Sequence, residues 1–148
     1  MTTRSLAAVA LAALAVPAAG LASQAAMHPE LGAKLTGAHE VPPAARGGQG
    51  IVNLTLDAPK GTVCWTFQGI AGIGKPTAAH VHRAPISRSG PIVVPLGGAF
   101  RTKGCTHAAR STIDAIETSP GSYYVNVHTP RFPNGAIRGQ LVAGMVHM

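Results

Sequence analysis

Three histidines in two short segments carry most of the chemistry this sequence offers. His80 and His82 flank one residue in Ala79-His80-Val81-His82, and His128 ends Val125-Asn126-Val127-His128. In an extended strand alternate side chains share a face, so His80 and His82 project together from Cα atoms about 6.6 Å apart. Two imidazoles so placed reach one ion. Three neutral imidazoles suit Cu(II) or Zn(II) and leave a position open for water or substrate. The site then requires His128 on the same face, with the three nitrogens within about 4 Å of one another for bonds near 2 Å. Otherwise the histidines are polar residues of a solvated face, or hydrogen bond to loops.

Residues near these segments divide between two roles. Asn126 alternates onto the face of His128 and is placed either to orient that ring or to tie strands together. Arg138 either draws an anion to the site or satisfies loop carbonyls with its five donors. Glu40 pairs with Arg138 or Arg83 and pins the first strand. His28, His39, His107 and His147 stand alone in the sequence and are read as incidental.

Other chemistries lack their residues. No Gly-x-Ser-x-Gly occurs, and Ser87-Arg88-Ser89-Gly90 has no evident base. The five carboxylates (Glu30, Glu40, Asp57, Asp114, Glu117) form no close pair for glycoside hydrolysis. Gly72-Ile73-Gly74-Lys75 lacks the spacing of a phosphate loop. A formal charge of +7 is spread over single basic residues with few aromatics between them. Nucleic-acid binding needs a concentrated patch, so the expected partner is instead an extracellular or anionic envelope component.

The elements that must position the histidines read as strands. Residues 33–36 form a short first strand and 50–57 alternate, with Val52, Leu54 and Leu56 on one face and Ile51, Asn53 and Thr55 on the other. Ala58-Pro59-Lys60-Gly61 turns the chain into 62–68, where Val63, Trp65 and Phe67 share a face. Residues 69–77 read as a loop, 78–83 as the histidine strand, and 92–96 as an edge strand because of Pro95. Residues 97–110 read as irregular, and 111–117 as a helical turn with Asp114 and Glu117 exposed. Tyr123, Val125 and Val127 oppose Tyr124, Asn126 and His128 in 122–129, and 136–142 is the last strand. The fold class is therefore all-β: an antiparallel Greek-key sandwich or flattened barrel of about seven to eight short strands.

Arg4, the apolar run from Leu6 to Val16 and the small residues of Ser23-Gln24-Ala25 read as a signal peptide over 1–25. No later run is long enough to span a membrane. A domain over 30–143 and a short tail over 144–148 follow, in a secreted or periplasmic protein. Two cysteines in an exported chain read as one disulfide, Cys64–Cys105, worth about 4 kcal/mol for a loop of about forty residues. The other reading makes them metal ligands, but no CxxC spacing supports it.

Several segments together resemble the CHRD domain, named after the extracellular antagonist chordin and found alone in exported bacterial proteins. They are Leu35-Thr36-Gly37-Ala38-His39-Glu40-Val41-Pro42-Pro43, Ala78-Ala79-His80-Val81-His82, Gly90-Pro91-Ile92-Val93-Val94, Tyr124-Val125-Asn126-Val127-His128-Thr129 and Pro133-Asn134-Gly135-Ala136-Ile137-Arg138-Gly139-Gln140-Leu141. The resemblance implies an extracellular β-sandwich and a non-enzymatic binding or envelope-associated module, with no established catalytic activity. His39 stands where the family more often carries Asn. More distantly, His80-Val81-His82, His128 and Arg138 resemble, in order, the copper half of copper–zinc superoxide dismutases. That resemblance implies an alternative, a mononuclear copper redox enzyme with Arg138 beside the anion. The zinc half has no counterpart, since His107 stands alone and Asp114 has no histidine neighbour.

Overall fold

The computed structural model describes residues 28–148, so the signal-peptide expectation lies outside the described residues. Nine antiparallel strands follow one another: β1 (Glu30–Thr36), β2 (Gln49–Asp57), β3 (Thr62–Ala71), β4 (Ala78–Arg83), β5 (Ile92–Pro95), β6 (Lys103–His107), β7 (Tyr123–His128), β8 (Ile137–Gln140) and β9 (Val142–Ala143). They form one continuous sheet in the order β5-β4-β7-β8-β1-β2-β3-β6, with β9 beside β1. The sheet curls until it is nearly a barrel, with β5 and β6 as its edges. Residues 96–102 bridge those edges: Leu96 and Phe100 donate to the carbonyls of Ala79 and Thr77, while the Thr102 carbonyl accepts from Phe67 at 2.6 Å. The all-β expectation holds, as the flattened-barrel form of the two.

The period of two fills the interior. Val52, Leu54 and Leu56 of β2, Val63, Trp65 and Phe67 of β3, Val81 of β4, and Val125 and Val127 of β7 are all buried in one core. Trp65 keeps its indole N–H satisfied by donating to the Arg101 carbonyl at 3.0 Å. Cys64 and Cys105 stand directly opposite each other on β3 and β6 and form the disulfide. Beside them Gly104 faces Trp65, where a Cβ would come within 2.7 Å of the indole ring.

Four expectations need correction. Residues 97–110 are not wholly irregular, because β6 pairs with β3 from Thr62↔His107 to Thr66↔Lys103. Its sequence Lys-Gly-Cys-Thr-His has no apolar alternation; the disulfide and the neighbouring strand define it. β3 also continues to Ala71, through residues expected in a loop, because Gln49 pairs with Ala71 across a bulge. The expected helical turn is a nine-residue helix, α1 (Arg110–Thr118), that buries Ile113 and Ile116. Glu117 is half-buried rather than exposed, and its burial raises its pKa.

The outer face of β2 is also covered. Ile51 and Asn53 are buried although they alternate away from the core. The C-terminal residues lie over them: Asn53 donates to the Val146 carbonyl at 3.0 Å and accepts from the Val146 N–H at 2.8 Å. No helix among the described residues is long and apolar enough to cross a membrane.

Candidate metal centre

β4 and β7 are neighbours in register, with Ala78↔His128, His80↔Asn126 and His82↔Tyr124. Paired residues point to the same side of a sheet. Since Ala79, Val81, Val125 and Val127 face the core, His80, His82, Tyr124, Asn126 and His128 share the outer face. Arg138 and Gln140 extend that face on β8, opposite Asn126 and Tyr124. Alternation on two strands and one register suffice to collect the three histidines.

Their donor atoms all lie within 4.8 Å of one another. That is wider than the span of about 4 Å expected around one ion. The spacing is uneven for a visible reason: His80 Nδ1 and His128 Nε2 are 3.0 Å apart, as in a hydrogen bond, whereas the His82 ring centroid lies 5.8 and 6.4 Å from the other two.

Carbonyl partners select the tautomers. His82 Nδ1 lies 2.8 Å from the Gly90 carbonyl and His128 Nδ1 lies 2.9 Å from the Pro133 carbonyl. A carbonyl oxygen only accepts, so both Nδ1 atoms carry the proton and both Nε2 atoms keep the lone pair. His82 Nε2 is buried with no hydrogen-bond partner, on a residue only 8 % exposed. Asn126 Oδ1 lies 3.0 Å from His128 Nε2, and the amide orients that ring only when turned so that its Nδ2 donates to the lone pair.

The surroundings keep all three rings neutral. Burial, with help from His128 and His82, pushes the His80 pKa down to about 4. Burial also lowers the pKa of His82, against the opposing effects of the Gly90 carbonyl and the Asn126 side chain, and of His128, against that of the Pro133 carbonyl. Neutral imidazole is the form that ligates a metal.

A family model for the CHRD domain matches residues 31–141, most of the chain and every strand described above except Glu30 of β1 and the two residues of β9. The chain belongs to the CHRD domain family. No curated protein and no solved structure matched it. The family's β-fold accords with a non-enzymatic binding module, and this member brings His80, His82 and His128 together on one outer face.

Arg138 of this CHRD domain lies beneath the loops rather than in solvent, at 1 % exposure. Its Nε and Nη2 donate to Glu40 Oε2 at 2.7 and 2.6 Å, a buried ion pair with the first of the two partners expected for Glu40. Nη1 donates to the Arg88 carbonyl at 3.2 Å and Nη2 approaches the Ser89 hydroxyl at 3.5 Å. Burial raises the Glu40 pKa, while Arg138 opposes that shift. Gly135 makes the pair fit: it has φ +130, and a Cβ there would overlap the Glu40 carboxylate.

Sequence reasoning missed the stack behind His82. Tyr124 lies flat against its ring, with centroids 4.8 Å apart and planes 4° from parallel, and the Arg138 guanidinium sits over the Tyr124 ring, 4.4 Å from its centroid. The stack follows from the cross-strand pair His82↔Tyr124, a matter of register that residue types alone do not give. The Gly90 and Pro133 carbonyls leave no trace in side-chain patterning. Away from the site, His107 approaches the Gly61 carbonyl at 3.3 Å and His28 lies 3.7 Å from Asp57.

Proposed function

We propose that this CHRD domain is an exported binding module that holds one copper or zinc ion on His80, His82 and His128. The observation that carries the reading is His82 Nε2, a buried lone pair with no partner, set by the Nδ1–Gly90 hydrogen bond. Buried polar atoms almost always find a partner, so an orphan among histidines calls for one. Imidazole nitrogens suit copper and zinc alike, and the ion would draw His82 toward the closer His80–His128 pair.

Export rests on the signal-like sequence of residues 1–25, and the Cys64–Cys105 disulfide accords with an oxidising compartment. A cationic exterior favours loose association with anionic envelope components. Copper redox turnover is the competing reading. It assigns Arg138 to attract an anion, whereas here Arg138 is buried against Glu40. Binding without turnover is therefore the better supported function.

Metal analysis of protein recovered from its own exported compartment tests the reading, followed by Cu(II) and Zn(II) titration of the wild type and His82→Ala. The expected result is one ion per chain, held at least tenfold more weakly by the variant. Equal affinity in both proteins overturns it. Nitrogen hyperfine structure in the cupric EPR spectrum together with superoxide consumption would instead favour the redox enzyme.

A further inference from the structure

The loop over residues 84–91 is held from beneath at many points. Arg138 donates to the Arg88 carbonyl, His82 to the Gly90 carbonyl, and Gln140 Nε2 to the Ala84 carbonyl at 3.2 Å. Gly90 N–H donates to the Tyr124 hydroxyl at 3.2 Å, Arg83 N–H to the Pro91 carbonyl at 3.0 Å, and Arg88 N–H to the Pro85 carbonyl at 3.0 Å. Six such bonds along eight residues leave the loop backbone little freedom.

On its outer side the loop borders a cleft of about 400 Å³ lined by Arg83, Arg88, Ser89 and Ser122. Neither arginine has a carboxylate within ion-pairing distance among the described residues. Asp114 borders the adjoining depression that shares Arg83 and Ser122, and it faces Arg110 at 3.6 Å. Glu40 lies beneath the loop, paired with Arg138. The Ser89 hydroxyl oxygen faces a donor, Arg138 Nη2, so its own proton is free for an acceptor elsewhere. The cleft thus combines two uncompensated guanidiniums with hydroxyl donors, and it offers no unpaired acidic side chain. Planar guanidiniums and hydroxyls are the donors that recognise oxyanions.

We propose that this cleft binds a tetrahedral oxyanion, phosphate or sulfate, between Arg83 and Arg88. The site goes beyond the metal reading, because none of its four side chains is a proposed metal ligand. Because His82 also holds the Gly90 carbonyl of this loop, the cleft is tested in the metal-free protein, where its outcome is separate from that of the metal reading.

Inorganic phosphate titrated into the full chain at constant ionic strength, with chloride as the balancing anion, tests it by amide NMR. The expected result is saturable movement of the Arg88, Ser89 and Gly90 amides. Arg83→Ala/Arg88→Ala should weaken the interaction at least tenfold, and Lys75→Ala, an exposed lysine outside the cleft, should leave it unchanged. Shifts that never saturate, that chloride reproduces, or that persist at full affinity in the double variant overturn the proposal. Both arginines are exposed, so the variants retain the fold, which the remaining amide shifts verify in the same spectra.

Discussion

The two faces of the β4–β7 pair are built from alternate residues of the same strands, yet they do opposite things. Inward, Ala79, Val81, Val125 and Val127 join the core with at most 2 % exposure. Outward, His80, His82, Tyr124, Asn126 and His128 make a polar surface roofed by loops and tied to them through the Gly90 and Pro133 carbonyls. The inner face is stabilised by area removed from water, which is non-directional and tolerant. The outer face depends on directional partners, and one of its atoms has none. The contrast separates what folds the domain from what it can bind.

The largest effect should come from beneath the outer face. Glu40→Gln removes the anion from Arg138 and leaves a guanidinium buried at 1 % exposure. Breaking a buried pair from one side costs about 3–5 kcal/mol. Urea unfolding should show a loss of that size, and a loss below about 1 kcal/mol would mean that the pair contributes little to holding the loops over the site.

Val125→Ala tests the inner face next. It deletes two buried carbons' worth of apolar surface and leaves a small cavity, for a loss of about 2 kcal/mol. Because Val125 points away from the histidines, metal affinity in the folded variant should match the wild type. If affinity falls as well, the two faces are mechanically coupled and the contrast between them fails.

His82→Ala should act the other way round. In the metal-free protein it removes a hydrogen bond to Gly90 but also a buried nitrogen without a partner, so stability should change by only about 1 kcal/mol. The rise in melting temperature produced by excess copper or zinc, worth about 4 kcal/mol in the wild type at a thousand times its Kd, should shrink in the variant by at least about 1.4 kcal/mol, the equivalent of tenfold weaker binding. A full metal-induced rise in the variant would detach the ion from His82.

The two faces were unequally legible before the structure. β4 was readable to the residue, because Ala78–Arg83 alternates cleanly between loops rich in Gly and Pro, and the same alternation put His128 and Asn126 on one face of β7. Register could not be read, and only register brings Ala78 opposite His128. β6 was hidden because its five residues carry no apolar period and owe their conformation to Cys64 and Trp65 across the ladder. Burial of Ile51 and Asn53 was hidden too, since it depends on where the chain end settles. The tautomers of the site were unreadable for another reason: the groups that set them are backbone carbonyls, Gly90 eight residues after His82 and Pro133 five after His128, which side-chain patterning does not record.

The smallest effect is a pH dependence that belongs to the outer face alone. His80 titrates at about 4 in the folded protein against an ordinary value of 6.5, and the His82 and His128 pKa values are lowered by burial as well. Between those values the unfolded chain binds more protons than the folded one, so stability rises with pH across that window. The metal-free protein should therefore keep its full histidine contribution above about pH 6.5 and lose it progressively on acidification toward about pH 4. Glu40 acts with the opposite sign, because its raised pKa makes the folded state hold the proton longer as pH climbs above 4.5. Urea midpoints measured from pH 4 to 8 should thus fall toward acid in the wild type and fall less steeply in His80→Ala, which lacks the most depressed of the three groups. Val125→Ala should lower every midpoint while keeping the wild-type slope. A slope unchanged in His80→Ala would place the titration outside His80, and the acid sensitivity would then have to come from other groups.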